Sequence, residues 1–167
     1  LGDVYKRQAF LKAAISVGIL PPKKNILISI GGERQKYELL ESVRELTEMK
    51  YNFFGTFDTA KFFKRHGIKI KGLYKIQEDR EPNVLTFLRN KKIDFLISIP
   101  REYQNPRSKI AYMIRRTAVD YDIPLLTNIK VVRLLVRALK KYPNLRKLKI
   151  KAWHQYFSNQ QPVTRNG

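Results

Sequence analysis

Tyr51-Asn52-Phe53-Phe54-Gly55-Thr56-Phe57-Asp58-Thr59 is a short apolar run that ends in a turn carrying two threonines. The apolar part predicts a buried strand, and Thr56 or Asp58 is a residue type that often begins a helix. At such a junction, the free backbone N–H groups of the helix's first turn point beyond the end of the strand. Because a helix dipole favours negative charge at that end, the stretch predicts a corner that binds an anion. A simpler interpretation, in which Thr56 or Asp58 only caps the helix, remains open.

Short apolar segments alternate with longer segments of helical period on both sides of this stretch. This alternation is typical of a parallel sheet that is covered by helices on both faces. The predicted strands are 26–30, 51–55, 68–74, 93–99 and 124–127. The sequence therefore predicts a doubly wound α/β fold with a mainly parallel sheet of about five strands. We expect 68–74 nearer an edge, since it alternates with lysine, and 93–99 near the centre, since it is the most hydrophobic.

The chain divides into three predicted parts. Residues 1–24 read as an N-terminal remnant of a preceding domain, with a short helix over 9–17 and a linker at Pro21-Pro22; the first eight residues receive no role. Residues 25–142 form the α/β domain. Residues 143–167 are a tail that we expect to pack back in part, through apolar residues such as Leu148 and Trp153.

Composition limits the possible functions. The chain contains no cysteine, and its two histidines, His66 and His154, lie far apart, so thiol catalysis and cysteine or histidine metal clusters are not expected. No apolar run reaches the roughly 18 residues of a membrane span, and no signal-peptide pattern opens the chain. We therefore expect a cytoplasmic protein with no membrane partner.

The charge balance is strongly basic, with 34 Lys and Arg against 14 Asp and Glu and a formal net charge of +20. Such a charge is compatible with nucleic-acid binding through phosphate neutralisation. No nucleic-acid motif accompanies it, however, and a composition rich in Lys, Ile and Asn is also expected from AT-rich codons. A basic nucleic-acid-binding module stays a disfavoured alternative, beside an acidic partner surface or a phosphorylated small ligand.

In a doubly wound sheet, ligands bind beyond the carboxyl ends of the strands, where the strand order reverses. The loops to consider are therefore 29–36, 56–59, 75–82 and 98–108. We expect one basic pocket where five residues converge: Lys36, Thr56, Thr59, Lys75 and Arg101. Arg116, on the following helix, could reach the same pocket. Taken singly, each lysine is more simply a solvated surface residue.

Residues 26–139 resemble the methylglyoxal-synthase-like domain, most closely the version at the C-terminal end of the carbamoyl-phosphate synthase large subunit. The matching motifs are Leu27-Ile28-Ser29-Ile30, Thr56 and Thr59 with Ala60, His66-Gly67-Ile68, Lys75, Pro82-Asn83, Ile114-Arg115-Arg116-Thr117-Ala118-Val119-Asp120 and Ile123-Pro124-Leu125-Leu126-Thr127-Asn128. In that family the domain is regulatory and binds uridine monophosphate, inosine monophosphate or N-acetylglutamate. The resemblance implies an allosteric domain in pyrimidine or arginine biosynthesis, with the synthetase half as its partner.

The resemblance also implies the contacts of the ligand. The residues that fall on the family's phosphate or carboxylate contacts are Ser29, Lys36, Thr56, Thr59 and Lys75. Ser98 stands where the family usually has Asn, and Asp58 replaces the usual Gly or Ala. No cofactor is implied for this chain, since ATP and Mg belong to the parent enzyme. The chain would be the C-terminal part of that enzyme, not catalytic by itself.

The family also contains an enzyme, methylglyoxal synthase, which eliminates phosphate from dihydroxyacetone phosphate. That activity needs a catalytic Asp in a Gly-rich loop after the third strand and a His after the fourth. Residues 75–82 contain no Gly and residues 98–108 no His. An anion-binding corner alone binds such a substrate without removing its proton. A stand-alone lyase is therefore the disfavoured alternative.

Overall fold

Five short strands alternate with α-helices along residues 2–16, 19–100 and 109–143, which are the parts of the chain described by this computed structural model. The elements are α1 (Gly2–Ser16), β1 (Asn25–Ile30), α2 (Glu33–Glu48), β2 (Asn52–Thr56), α3 (Phe57–Arg65), β3 (Lys71–Leu73), α4 (Val84–Arg89), β4 (Phe95–Ile99), α5 (Lys109–Asp120), β5 (Leu125–Leu126) and α6 (Ile129–Lys141). A single 3₁₀ turn, Ile76–Glu78, lies between β3 and α4.

The five strands form one parallel sheet with the order β3-β2-β1-β4-β5. The order reverses between β1 and β4, so the fold is doubly wound, and the predicted fold class is confirmed. β3 lies at an edge, as its alternation with lysine predicted. β4 is an interior strand whose five residues are all buried, although β1 occupies the middle position.

Two apolar clusters cover the two faces of the sheet. Successive side chains of a strand point to opposite faces, so Ile28 of β1 joins the cluster with α1, α2, α3 and α6, while Leu27 joins the cluster with α4 and α5. Both kinds of position must be apolar in a strand that is buried on both faces. This explains why the interior strand β4 reads as a continuous apolar run, whereas the edge strand β3 does not.

Gly55 brings α3 close to the sheet. A Cβ atom at this position would lie 2.9 Å from the carbonyl oxygen of Ile28 and 3.3 Å from Cγ2 of Thr59. Gly55 therefore allows β1, β2 and the first turn of α3 to pack at a separation that no side chain permits. The close packing at Gly55 thereby fixes the position of Thr59 in the first turn of α3.

The structure corrects several boundaries. Residues 2–8, which had no predicted role, belong to α1, and α1 packs against α6 with Leu11 fully buried. Pro82 is a residue type that predicts a helix start. The structure begins α4 at Val84 instead, because the side chain of Asn83 caps it by accepting from the Thr86 N–H at 2.9 Å. Helical spacing in 110–121 predicts that Met113 faces inward, but its side chain is 39% exposed.

Three predictions fall outside the described residues: the end of the first helix at residues 17–18, the loop that contains Arg101, and the tail at 144–167. Among the residues that are described, no helix is long and apolar enough to cross a membrane.

Candidate anion-binding site

Two helices begin side by side at the carboxyl edge of the sheet. α2 follows β1 with Gly32 as its N-cap, and α3 follows β2 with Thr56 as its N-cap. Gly32 has no side chain with which to cap, and the Thr56 hydroxyl makes no bond to the N–H groups of its own helix's first turn. The first turns of both helices therefore offer uncapped N–H groups and the positive ends of two dipoles to the space above the sheet.

A cavity of about 580 Å³ lies at these two helix starts. Its volume is within the range of pockets that hold small molecules. The lining residues come from the ends of β1 and β2, from α2 and α3, and from the segment after β3: Ile30, Gly31, Glu33, Lys36, Thr56, Asp58, Thr59, Lys61, Phe62, Arg65 and Lys75. The cavity thus lies over β1, β2 and β3, on the α2 and α3 side of the point where the strand order reverses.

Two threonine hydroxyls meet in this cavity. Oγ1 of Thr56 and Oγ1 of Thr59 are 3.2 Å apart, so one hydroxyl donates a hydrogen bond to the other. The accepting hydroxyl keeps its own hydrogen for a further partner. Thr59 is only 1% exposed and is fixed against Gly55 by packing. The pair is therefore a positioned hydrogen-bond donor that adds no charge.

The charges of the cavity are unequal. Four cationic side chains line it (Lys36, Lys61, Arg65 and Lys75), against two carboxylates (Glu33 and Asp58). Lys75 donates a hydrogen bond to Oδ2 of Asp58 at 2.5 Å. This bond, followed by the charges of Lys75, Lys36 and Lys61, lowers the pKa of Asp58 below its ordinary value. Asp58 is therefore ionised at neutral pH, and the cavity keeps an excess of positive charge.

An aromatic ring forms one wall of the cavity. Nζ of Lys36 lies 5.6 Å from the centroid of the Phe62 ring, within cation–π range, which favours a side-chain position beside the cavity. Phe62 in turn packs edge-on against Tyr37 and against Phe63. The contact with the Phe62 ring thus holds the ammonium group of Lys36 near the starts of α2 and α3.

The structure brings together four of the predicted site residues: Lys36, Thr56, Thr59 and Lys75. Their contact with a ligand stays a prediction. Arg101 lies outside the described residues.

Three other predicted residues do not line the cavity. Ser29 and Ser98 are register partners on β1 and β4, and strand alternation directs both toward the face covered by α4 and α5. Arg116 is exposed on α5 and pairs with Asp120 one turn away, at 2.9 Å. The structure therefore separates these three from the group at α2 and α3.

Several residues that line the cavity were not predicted from the sequence. Glu33, Lys61, Phe62 and Arg65 were not predicted as site residues, and Asp58 was not predicted as the partner of Lys75. A usable signal existed on α3, since Asp58, Lys61 or Phe62, and Arg65 follow one another at helical spacing and so share a face. No comparable signal links Asp58 to Lys75, which is 17 residues away.

Most of the polar residues that line the cavity are of the types that bind anions. They supply hydroxyl donors, helix N-termini and ammonium or guanidinium groups, all of which suit a phosphate or a carboxylate. Within the described part of the chain, no group of three or more His, Cys, Asp or Glu residues could hold a metal ion.

Comparison with known proteins gives related sequences and a related fold. A protein-family model for the MGS-like domain matches residues 38–127, more than half of the chain. The multifunctional protein pyr-3 of Neurospora crassa is 40% identical over 150 residues, which are 85% of this chain and 8% of that protein. The carbamoyl phosphate synthase large chain, C-terminal section, of Aquifex aeolicus is 33% identical over 139 residues, 83% of this chain and 25% of that section.

Among solved structures, methylglyoxal synthase from Elizabethkingia anophelis matches with a TM-score of 0.57 and 15% identity, covering 84% of this chain and 93% of the enzyme. At that identity the match concerns the fold alone. This chain spans a small part of the multifunctional relatives, from 6% to 8% of the first six that it matches. Fold, family model and sequence identity agree, and the chain belongs to the MGS-like domain family.

Proposed function

We propose that this chain is an allosteric, effector-binding domain of a carbamoyl-phosphate synthase large subunit. The proposed ligand is a small anion, either a phosphorylated nucleotide such as uridine or inosine monophosphate, or an acidic effector such as N-acetylglutamate. The observation that supports this most is the convergence of Lys36, Thr56, Thr59 and Lys75 on one cavity at two helix N-termini. Relatives named as carbamoyl phosphate synthase large chains support the assignment to that enzyme.

A phosphate or carboxylate suits this cavity for a physical reason. Uncapped N–H groups and hydroxyls donate directional hydrogen bonds, and the nearby cations supply charge from more than one side. Charge-assisted hydrogen bonds of this kind are about twice as strong as neutral ones. The volume of about 580 Å³ leaves space for the rest of a nucleotide or an acyl amino acid beside its anionic group.

Regulation requires that the ligand bind two states of the parent enzyme unequally. The proposed partner of this domain is the half of the large subunit that forms carbamoyl phosphate. A ligand that orders the first turns of α2 and α3 would shift the equilibrium at the contact with that half, and the coupling would be reciprocal. Catalysis, with its ATP and Mg, would then reside in the partner, and the pathway would be cytoplasmic pyrimidine or arginine biosynthesis.

Isothermal titration calorimetry tests the proposal with uridine monophosphate, inosine monophosphate and N-acetylglutamate at physiological ionic strength. We expect saturable binding of at least one of them, and Lys75→Ala should abolish it. Lys69→Ala is the matched control, because Lys69 is exposed and precedes β3, at the opposite end of the strand from Lys75. If none of the three binds, or if both alanine variants lose affinity equally, the proposed site is wrong.

A further inference from the structure

The ion pair between Asp58 and Lys75 lies inside the candidate site. Lys75 is one of the four cations that line the cavity, and its ammonium group already donates to a carboxylate of this chain. Asp58 also stands in the first turn of α3, where its negative charge is favoured by the same helix dipole that favours a bound anion. The carboxylate of Asp58 thus interacts with the Lys75 ammonium group and with the positive end of the α3 dipole, both of which a bound anion would also use.

We propose that Asp58 is a tethered competitor of the ligand: its carboxylate and the anionic group of the ligand compete for Lys75 and for the start of α3, so Asp58 sets the affinity of the site. The inference rests on the proposed function, since it assumes that an anion binds here. It concerns a side chain that stands close to the proposed ligand position and opposes binding.

The pair is exposed enough to be displaced. The Lys75 and Asp58 side chains are 41% and 66% exposed. Exposed ion pairs contribute little to stability, because water and salt screen them. Opening the pair therefore costs the fold little, and a ligand with a larger charge than one carboxylate can replace it.

The surroundings of Asp58 allow it to remain charged after displacement. The charges of Lys36 and Lys61 also act on it and help to lower its pKa. A displaced carboxylate would therefore still face cations and solvent, and it would not be left unpaired in an apolar place. It would nevertheless stay within a few ångströms of the ligand, so its repulsion would persist in the complex.

Removing the charge of Asp58 should consequently tighten binding. Two unit charges about 4 Å apart interact measurably even in water and several times more strongly near a protein surface. For the dianionic phosphate of uridine monophosphate at pH 7.5, we expect Asp58→Asn to lower the dissociation constant by at least about tenfold, which corresponds to about 1.4 kcal/mol. Asparagine keeps the shape of the side chain and remains a good residue at a helix start.

The matched control is Glu33→Gln. Glu33 lines the same cavity on α2, and the substitution makes the same change of net charge. Its effect on uridine monophosphate should be clearly smaller than that of Asp58→Asn, because the bond to Lys75 belongs to Asp58. Thermal unfolding of each variant checks that it is folded.

The outcomes separate the inference from the proposed function. Tighter binding of uridine monophosphate by Asp58→Asn than by the unmodified chain, with a smaller effect of Glu33→Gln, supports the inference. If the unmodified chain binds and Asp58→Asn binds equally or more weakly, the inference is overturned while the proposed function stands. An equal gain from Glu33→Gln also overturns it. Absence of binding in every variant overturns both.

Discussion

Thr59→Val tests whether the buried hydroxyl at the start of α3 serves the ligand or only the fold. The substitution replaces a hydroxyl by a methyl group at a side chain that is 1% exposed. It removes the 3.2 Å bond to Thr56, which is worth about 0.5–1.5 kcal/mol, and it buries a methyl group, worth about 0.8 kcal/mol. These terms nearly cancel, so the free energy of unfolding should change by less than about 1 kcal/mol.

Ligand binding should respond much more strongly than stability. A hydrogen bond to a charged group contributes about 1.5–3 kcal/mol, and valine cannot make it. At about 1.4 kcal/mol for each factor of ten, the affinity for an anionic ligand should fall by a factor of about 10–150. The packing against Gly55 involves the Cγ2 atom of Thr59, which valine retains, so the position of α3 should not change.

Two measurements decide this prediction. Calorimetric titration with uridine monophosphate gives the affinity, and urea denaturation gives the free energy of unfolding. Thr117→Val is the control, since Thr117 lies on α5, which covers the other face of the sheet. Unchanged affinity in Thr59→Val would refute the reasoning, because the hydroxyl would then make no contact with the ligand. A large loss of stability would show that the threonine pair is structural.

Three further predictions concern the fold and the ion pair. Gly55→Ala should destabilise the chain by about 1–3 kcal/mol in urea denaturation, because its Cβ atom meets the Ile28 carbonyl at 2.9 Å; unchanged stability would contradict the close approach. Leu11→Ala should cost about 2–5 kcal/mol, whereas a loss below about 0.5 kcal/mol would mean that α1 is not part of the folded unit. The pKa of Asp58 is lowered in the folded chain, so the pair stabilises above the unfolded pKa, near 4, and this contribution disappears as the pH falls through the lowered value. Asp58→Asn should therefore cost up to about 1 kcal/mol at pH 7 and little at pH 2, and an equal cost at both would exclude the ionised pair as its cause.

The fold could be predicted because burial in a sheet covered on both faces determines which sequence positions must be apolar. Strands buried on both faces must be continuously apolar, and the intervening helices must carry one apolar face. Element boundaries were less accurate where a local bond decides them. Pro82 suits a helix start by its own geometry, but the side chain of Asn83 makes the cap, and α4 begins after it.

The convergence of the site could also be predicted in part. Loops that follow parallel strands meet at one edge, so residues after β1, β2 and β3 had to be neighbours there. Successive side chains of a strand point to opposite faces of the sheet, so a shift of one residue changes the face. This alternation places Ser29 and Ser98 on the face away from the cavity, although both lie at the carboxyl ends of their strands, where the site was predicted.

The pairing of Asp58 with Lys75 lay beyond sequence reasoning for a different reason. The bond joins Asp58 in the first turn of α3 to Lys75, which follows the edge strand β3. It forms only if the chain after β3 brings Lys75 close to the start of α3, which residue types alone do not predict. Charge patterns predict pairs at helical spacing, such as Arg34 with Glu38 at 3.1 Å, but not pairs between separate elements.

The central claim is that a small anion binds where α2 and α3 begin. Backbone amide NMR spectra of the full chain, recorded during titration with uridine monophosphate, test it most directly, because they report the position of binding and its strength together. We predict saturable shifts of the amide signals of residues 32–36 and 56–59, with one common dissociation constant. Shifts that fall elsewhere while these two turns stay unchanged would contradict the claim, and so would unchanged spectra with uridine monophosphate, inosine monophosphate and N-acetylglutamate alike.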